Sequence, residues 1–193
     1  MKKWNKRILL LISIAAVFNV LMVIAVFYIG IQIATAPDIS EIDAAPDGFL
    51  TVVLDGEGNK IDSLYMSESN RVYVSMDEIP ENMQHAFVAI EDARFYEHIG
   101  VDFRGIARAF VKGIKNGGFS EGASTITQQL LKNNVLDDWM EEKTFSDRLS
   151  RKVKEQYLAI QLERKYDKEW ILENYLNTIN LGGGTRGVQV ASQ

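Results

Sequence analysis

The stretch SDRLSRKVKEQYLAIQLERKYDKEWILENYLNT, residues 146–178, decides the fold, because its apolar residues recur at helical spacing with hardly an interruption. It predicts one helix at 146–165 and a second at 168–178, with Asp167 as the N-cap of the second. The predicted core face of the first helix comprises Leu149, Val153, Tyr157 and Ile160. These two helices predict a mainly α domain.

Helical periodicity extends upstream of this stretch as far as Pro80. It predicts three more helices, at 81–97, 102–115 and 124–133, with Asp102 as an N-cap. The predicted helix breaks are Gly117-Gly118 and Gly182-Gly183-Gly184.

A small β element is predicted before these helices. Residues 49–54 form a strand-like run, 55–59 are turn-forming residues, and 60–66 predict the returning strand of a hairpin. Residues 71–74 predict a third short strand. Residues 37–47, PDISEIDAAPD, hold two of the three prolines and predict a linker.

The N-terminal segment predicts a membrane anchor. Ile8 to Ile31 is a run of 24 uncharged residues, roughly 36 Å of helix, against a hydrocarbon core of about 30 Å. Four cations precede the run and Asp38 is the first charge after it, so the N-terminus is predicted to be cytoplasmic. The alternative is a signal peptide cleaved after Ala36, but its apolar region would be shorter, about 7–15 residues. The predicted organisation is a cytoplasmic tail at 1–7, a transmembrane signal-anchor helix at 8–33, a linker at 34–47, a short β element near the membrane at 48–75, and an extracytoplasmic helical domain at 76–193.

Composition excludes several classes of site. The chain has no cysteine, which excludes disulfides, zinc–cysteine sites and thiol nucleophiles, and its two histidines cannot form a three-histidine metal cage. Beyond residues 1–7, the remaining 17 basic and 26 acidic side chains give a net charge of −9. An acidic body argues against nucleic-acid binding, which depends on neutralising phosphates.

The segment EDARFYEH, residues 91–98, closes a predicted helix and carries candidate catalytic groups. Glu91 follows five apolar or small residues, so we expect it at the edge of the core, where partial burial suits a carboxylate to proton transfer. At spacings of four and seven, Glu91, Phe95 and His98 are predicted to share one helical face. The alternative is an exposed helix end with ordinary ion pairs.

The segment GASTITQQLLKN, residues 122–133, predicts a capped helix with a polar stripe. Thr125, Gln129 and Lys132 lie at i, i+4 and i+7, which places a hydroxyl, an amide and an ammonium on one side. Ser124 is predicted to cap the helix and leave its N-terminal amides available to an anion. The stripe suits a phosphorylated or sugar ligand; the alternative is a surface helix whose polar face is only hydrated.

Two further clusters are charged. In RKVKE, residues 151–155, Arg151 and Glu155 are one turn apart, and such a pair stabilises a helix by only about 0.3–0.5 kcal/mol. Helix 102–115 carries a basic stripe opposite an apolar one, which fits lipid headgroups or an anionic polymer. A solvated face is the alternative for both clusters. The basic stripe comprises Arg104, Arg108, Lys112 and Lys115.

Taken in order, EDARFYEHIGVD (91–102), GASTITQQLLKN (122–133), RKVKE (151–155) and KEWILENYLN (168–177) resemble the four motifs of the peptidoglycan glycosyltransferases, glycosyltransferase family 51. This family is the polymerase domain of class A penicillin-binding proteins and of monofunctional glycosyltransferases. The resemblance covers about residues 70–192 and implies a lysozyme-like α domain.

The resemblance implies an activity and its setting. The expected substrate is lipid II, polymerised into β-1,4-linked glycan with inversion, from the lipid-diphosphate-linked growing chain to the 4-hydroxyl of incoming lipid II. The expected place is the bacterial cell membrane, in cell-wall biogenesis and cell shape. Expected partners are lipid II, the nascent glycan chain, the membrane and other cell-wall synthesis proteins, without nucleic acid.

The resemblance also implies roles for individual residues. Glu91 matches the catalytic base, and Glu155 matches a second essential carboxylate that orients substrate or assists at the diphosphate. The positions matched to substrate binding are Asp92, Phe95 and His98 around the base, and Ser124, Thr125, Gln128, Gln129, Lys132, Arg151 and Lys152 around the donor diphosphate. A further diphosphate-binding cation corresponds to Lys143 or Arg148, between which the sequence does not choose.

Several points stay open. Carboxylates beside a diphosphate make a divalent metal such as Mg²⁺ plausible, with its ligands unknown, and no organic cofactor is expected. The chain ends before the family's domain usually finishes and contains no transpeptidase motif, so we expect a truncated glycosyltransferase domain. The alternatives to a polymerase are a lytic, lysozyme-like glycan-cleaving enzyme and an inactive membrane-anchored scaffold.

Overall fold

The computed structural model describes residues 3–46, 48–64, 71–118, 122–136, 144–182 and 184–192. The chain forms two compact units, Met1–Ala36 and Pro37–Gln193. The first is dominated by helix α1 (Lys3–Ala34), of which Lys6–Ala34 is apolar and long enough to cross a membrane. The large apolar side chains along α1 are exposed, as is typical of a lipid-facing helix.

The second unit is mostly helical, which confirms the predicted fold class. Its strands are β1 (Thr51–Leu54), β2 (Lys60–Leu64), β3 (Asn180–Gly182) and β4 (Thr185–Arg186). Its helices are α2 (Glu81–Glu91), α3 (Phe103–Asn116), α4 (Ile126–Asn134), α5 (Phe145–Lys165), α6 (Lys168–Thr178) and α7 (Val188–Ala191), with a 3-10 turn at Met76–Glu78. The core lies where α4, α5 and α6 pack together, and Leu130, Leu162 and Leu176 are completely buried there.

Helices α3 and α6 begin at their predicted caps. The side chain of Asp102 accepts a hydrogen bond from the backbone N–H of Gly105 at 2.9 Å, and that of Asp167 accepts one from Trp170 at 2.8 Å. Gly117, with φ at 68°, ends α3 in the left-handed conformation that glycine adopts without strain. Short polar side chains and glycine therefore set these boundaries locally.

Helix α2 is shorter than predicted: it ends at Glu91, whereas the sequence predicted a helix as far as residue 97. Asp92 leaves the helix with φ at −155°, and its carboxylate accepts a hydrogen bond from the N–H of Ile126, at the start of α4. Residues 93–97 continue as turns. The prediction that Glu91, Phe95 and His98 share one helical face was therefore wrong.

The core face of α5 also differs from the prediction. Leu149 is exposed, and the buried side chains are Glu155, Leu158, Ala159 and Leu162, on nearly the opposite side of the helix. Gly100 explains the choice of face: with φ at 91°, it lies so close to the carbonyl of Ala159 that a Cβ atom would not fit. This backbone approach requires glycine at position 100.

The β element is a two-stranded antiparallel hairpin. Thr51 pairs with Leu64 and Val53 with Asp62 across β1 and β2, and the side chain of Asp55 accepts two backbone hydrogen bonds in the turn. The hairpin prediction is confirmed as far as residue 64; residues 65 and 66 lie outside the described residues. The third strand is reduced to a single bridge between Phe49 and Arg71.

The segment predicted as a linker is packed in part against the domain. Residues 37–46 have turns but no helix or strand, in keeping with their prolines. Ala44 is nevertheless completely buried, and its carbonyl accepts a hydrogen bond from the Asn134 side chain at 2.9 Å. The domain boundaries themselves stay a prediction.

Asn177 on α6 fastens the irregular segment before the 3-10 turn to the core. Its side-chain amide donates to the carbonyl of Val74 at 2.8 Å and accepts from the N–H of the same residue at 2.9 Å. The neighbouring Glu173 accepts from the N–H of Met76 at 2.6 Å and from the Tyr73 hydroxyl. Asn177 is 1% exposed, so water cannot replace these bonds.

Asn177→Ala is expected to lower the free energy of unfolding by about 2–4 kcal/mol, because two buried backbone groups of Val74 lose their partners. Chemical denaturation of the full chain in detergent measures the change. Asn82→Ala, at an exposed position of α2, is the control and should change stability by less than about 0.5 kcal/mol. Equal midpoints for the two variants would contradict the role of Asn177.

Candidate active site

Glu91 is the last residue of α2 and its side chain is exposed. The expected partial burial at the edge of the core was therefore wrong: the apolar residues before it do not cover it, and Ile90 itself is 81% exposed. The carboxylate is held instead by a hydrogen bond, because Nε2 of Gln129 on α4 donates to its Oε2 at 3.0 Å. An exposed but tethered carboxylate is accessible to a substrate.

The start of α4 is capped by Thr125 rather than by the predicted Ser124. The Thr125 hydroxyl accepts from the N–H of Gln128 at 3.2 Å and donates to the carbonyl of Gly100 at 2.7 Å. Gln128 completes a capping box by accepting from the N–H of Thr125. Both side chains are 1% exposed, so they build the helix start, and the predicted polar stripe is reduced to Gln129 and Lys132.

Asp92 and His98 form a buried pair next to Glu91. His98 Nε2 lies 2.8 Å from Asp92 Oδ2, and His98 Nδ1 accepts from the N–H of Gly100 at 3.2 Å. Because Nδ1 accepts, Nε2 carries the hydrogen that His98 donates to Asp92. The same Asp92 oxygen accepts the N–H of Ile126 at 3.1 Å. The pair therefore links the loop after α2 to the first turn of α4.

A second buried network, which the sequence did not predict, lies beyond His98. Oε1 of Glu163 accepts from the Thr127 hydroxyl at 2.6 Å and from Lys168 Nζ at 2.7 Å. Lys168 also lies over the ring of Phe95, 4.4 Å from its centroid, and Phe95 is completely buried. Burial lowers the pKa of Lys168, and the hydrogen bond to Glu163 opposes that shift. Phe95 thus acts from within the core.

Glu155 on α5 is a buried carboxylate with two cationic partners. Its side chain is 1% exposed; Arg151 donates to Oε2 at 2.6 Å, and Lys152 donates to Oε1. The alternative interpretation, a solvated pair on the surface, is therefore wrong, because Glu155 lies on the buried face of α5. Lys152 Nζ also donates to the hydroxyl of Ser124 at 2.8 Å.

Helix α4 and its N-terminal flank connect the two carboxylates. Gln129 contacts Glu91 on one side, and Ser124 contacts Lys152, the partner of Glu155, on the other. Lys132 follows Gln129 by three residues on the same helix and is partly buried.

The loop cation can be described only in part. Arg148 is exposed in the second turn of α5, one turn before Lys152, whereas Lys143 lies outside the described residues. The choice between these two therefore stays a prediction.

The described residues hold no group of three or more histidine and acidic side chains placed to bind a metal ion. Both oxygens of Glu155 are engaged by cations, so this carboxylate would have to break an ion pair to become a ligand. Mg²⁺ stays a prediction that depends on oxygens of a bound diphosphate.

Helix α3 carries an exposed apolar surface beside its basic stripe. Phe103, Phe110, Val111 and Ile114 are each more than half exposed, while Gly105 and Gly113 are buried. The buried side of α3 is thus its glycine side. Arg104 and Arg108 are exposed, and Arg104 lies 3.7 Å from Glu97. An apolar face flanked by cations is typical of a helix at a lipid surface.

Sequence reasoning missed Tyr175, whose hydroxyl lies 3.4 Å from Oε1 of Gln129. Tyr175 belongs to the fourth motif, from which the sequence analysis singled out no individual residue. The available signal was chemical: a tyrosine placed in a core needs a partner for its hydroxyl.

Comparison with known proteins agrees with the resemblance. A family model described as Transglycosylase matches residues 57–193. Penicillin-binding protein 1A of Clostridium novyi is 45% identical over 173 residues, which cover 85% of this chain and 20% of the relative. Penicillin-binding protein 1A of Clostridium tetani is 37% identical over 199 residues, which cover 100% of this chain and 24% of the relative. Penicillin-binding protein 1F of Bacillus subtilis is 47% identical over 140 residues, which cover 72% of this chain and 18% of the relative. The chain thus spans a quarter or less of the length of these curated relatives.

Proposed function

The chain belongs to the transglycosylase family, glycosyltransferase family 51, and from this premise we propose that it is a peptidoglycan glycosyltransferase that polymerises lipid II. The growing chain, bonded through its anomeric carbon to a lipid diphosphate, is the donor. The 4-hydroxyl of an incoming lipid II is the acceptor. A single displacement inverts the anomeric carbon and forms a β-1,4 bond.

Glu91 is the general base of this proposal. A sugar hydroxyl is a weak nucleophile until a positioned group takes its proton, and Oε1 of Glu91 is exposed and has no bonding partner among the described residues. As Glu91 takes the proton, the acceptor oxygen bonds to the anomeric carbon and the bond to the diphosphate breaks. The paired carboxylates of inverting glycosidases follow a parallel logic, with water in place of the sugar hydroxyl.

Lys132, Arg151 and Lys152 are the groups proposed to stabilise the departing diphosphate. Negative charge grows on the leaving group as its bond breaks, and ammonium and guanidinium donors stabilise that charge best when they are already in position. Glu155 holds Arg151 and Lys152 in position through buried ion pairs. Its role in this proposal is to orient these cations, and Ser124 supports Lys152 from α4.

We propose an indirect role in substrate binding for five residues: they support the segment that carries Glu91. These residues are Asp92, Phe95, His98, Thr125 and Gln128. Their buried contacts shape the segment between Glu91 and α4, as the burial of Asp92 and Phe95 indicates. Gln129 and Ser124 are only partly buried, and they keep a proposed direct role in substrate binding.

The membrane is part of the proposal. Helix α1 is proposed to be a single-pass anchor with a cytoplasmic N-terminus and an extracytoplasmic catalytic domain, in accord with the cations that precede it. Both substrates carry lipid tails, so anchoring the enzyme in the same bilayer raises their effective concentration. The exposed apolar and basic side chains of α3 support contact with the lipid surface.

The observation that carries the proposal is the link through α4 and its flank, where Gln129 contacts the base and Ser124 contacts a cation paired with Glu155. Incubation of the full chain with fluorescently labelled lipid II tests it, and glycan polymer is the expected product. Release of fragments from pre-made glycan would instead favour a lytic enzyme. A folded chain that does neither would favour a scaffold.

Lys132→Ala is expected to weaken donor use about 10²-fold and to affect donor use more than folding, because the variant removes a charge that this proposal assigns to the departing diphosphate. Initial rates of polymerisation at varied donor concentration, together with thermal unfolding, separate the two effects. Lys60→Ala, at an exposed position of β2, is the control. Unchanged donor dependence in Lys132→Ala would refute the diphosphate role.

A further inference from the structure

Tyr175 on α6 is a buried hydroxyl for which the mechanism above has no use. The residue is completely buried, and its ring packs edge-on against Phe87 with centroids 6.4 Å apart. Its hydroxyl reaches away from this contact to Oε1 of Gln129, at 3.4 Å. The other end of that amide, Nε2, donates to Glu91. Tyr175, Gln129 and Glu91 therefore form a chain that leads from the core to the exposed carboxylate.

The direction of each hydrogen bond in this chain follows from the donors available. An ionised carboxylate only accepts, so Gln129 must present its NH₂ group to Glu91 and its carbonyl oxygen to Tyr175. The tyrosine hydroxyl must then donate. Burial, with a further contribution from the negative charge of Glu91, raises the pKa of Tyr175, so the hydroxyl keeps its proton through the neutral range.

We propose that Tyr175 is a positioning residue for glycosyl transfer: its hydroxyl fixes the amide of Gln129, which in turn holds Oε2 of Glu91 and leaves Oε1 to receive the proton of the acceptor. The inference rests on the proposed function and deepens it. Glu91 is exposed, so its side chain would otherwise sample several rotamers. Through these hydrogen bonds, the buried Tyr175 restricts the motion of the Glu91 side chain.

Loss of the hydroxyl has a specific consequence. Without a donor at its carbonyl oxygen, the side chain of Gln129 is held only by its bond to Glu91 and samples more rotamers. The carboxylate of Glu91 then moves with it and spends less time in its productive position. Misplacement of a catalytic group by about 1 Å can lower a rate by about 10²-fold.

Tyr175→Phe tests the proposal because it keeps the ring and its packing. We expect kcat for lipid II polymerisation to fall about tenfold while KM changes by less than about twofold, since substrate binding does not involve the hydroxyl. Tyr166→Phe is the matched control: the ring of Tyr166 stacks on Trp170 at 3.8 Å, and this contact survives the change. A Tyr175→Phe enzyme with the kcat of the control would overturn the proposal.

A double-mutant cycle separates positioning from a general effect on the fold. In the Gln129→Ala background the chain is already broken, so adding Tyr175→Phe should change kcat by less than about twofold. A second, equally large fall in that background would mean that Tyr175 acts by another route, and would overturn the proposal.

A spectroscopic measurement makes the test independent of catalysis. In the full chain labelled with ¹⁵N-glutamine in detergent micelles, the side-chain amide of Gln129 is identified by its loss in Gln129→Ala. Tyr175→Phe should shift this signal and increase its mobility, and an unchanged signal would overturn the proposal. If the wild-type chain makes no polymer while the signal responds as expected, the proposed function fails and the contact stands.

Discussion

Glu91→Gln is expected to lose polymerisation of lipid II by about 10²–10⁴-fold, the contribution of a general base, while retaining the wild-type unfolding temperature. Glutamine keeps the shape of the side chain but cannot take the proton of the acceptor hydroxyl. Because Glu91 is exposed and makes one hydrogen bond with the described residues, through Oε2, its replacement leaves none of their buried groups without a partner. The effect should therefore fall on the reaction alone.

Labelled lipid II and gel analysis of the glycan product measure this effect, alongside thermal unfolding. Glu97→Gln is the matched control, since Glu97 is an exposed glutamate in the same segment, with its side chain 62% exposed. We expect this control to polymerise normally. A Glu91→Gln variant that forms glycan at a rate near that of Glu97→Gln would show that another group takes the proton.

Glu155→Gln is expected to lower both activity and stability. Its carboxylate is 1% exposed and pairs with Arg151 and Lys152, so the neutral amide leaves two partly buried cations without their counter-charge. Breaking a buried ion pair from one side costs about 3–5 kcal/mol, and partial exposure of the two cations reduces this to about 2–3 kcal/mol. Activity should fall about 10²-fold, because the same cations lose the positions from which we propose that they bind the diphosphate.

The double variant Glu155→Gln, Arg151→Gln distinguishes an unpaired charge from a general packing defect. If the loss of stability comes from an uncompensated cation, removing Arg151 as well should restore part of it, while activity stays low. Denaturant unfolding and the polymerisation assay provide the two readouts. A loss of less than about 0.5 kcal/mol in Glu155→Gln would mean that the pair contributes no more than a surface ion pair.

Local signals predicted much of the fold. The helices at 102–115, 124–133, 146–165 and 168–178 were placed to within two residues, because apolar periodicity and capping residues act over a few positions. The end of α2 was not predicted, since it depends on a hydrogen bond between Asp92 and the N–H of Ile126, which is 34 residues away in sequence. Contacts of that range leave no local pattern.

The buried face of α5 shows a different limit. Its sequence offers two apolar stripes, one through Leu149 and Val153 and the other through Leu158 and Leu162, and periodicity alone does not rank them. The close approach of Gly100 to Ala159 selects the second stripe and buries Glu155 with it. The carboxylate of an ion pair that sequence spacing alone would treat as exposed is therefore buried, while its cationic partners are partly exposed.

The sequence named the residues of the candidate site but could not predict how they are arranged, and the roles of these residues stay predictions. The motif order pointed to Glu91, Gln129 and Glu155, but whether each side chain is exposed depends on which elements pack against it. Thr125 rather than Ser124 caps α4, because the Thr125 hydroxyl also bonds to Gly100. Ser124 is thereby left to meet Lys152.

The hydrogen bonds that join the loop after α2 to the beginning of α4 have a mechanical consequence. Asp92, His98 and Thr125 tie the segment that follows Glu91 to α4, whose N-terminal flank contacts Lys152 through Ser124. Thermal motion should then move Glu91 and this flank together, so that the distance between the proposed base and the proposed diphosphate-binding cations stays nearly constant. Variants selected for altered substrate size should consequently carry substitutions outside this set of hydrogen bonds. Breaking these bonds would misplace the catalytic groups before it enlarged the space for the substrate.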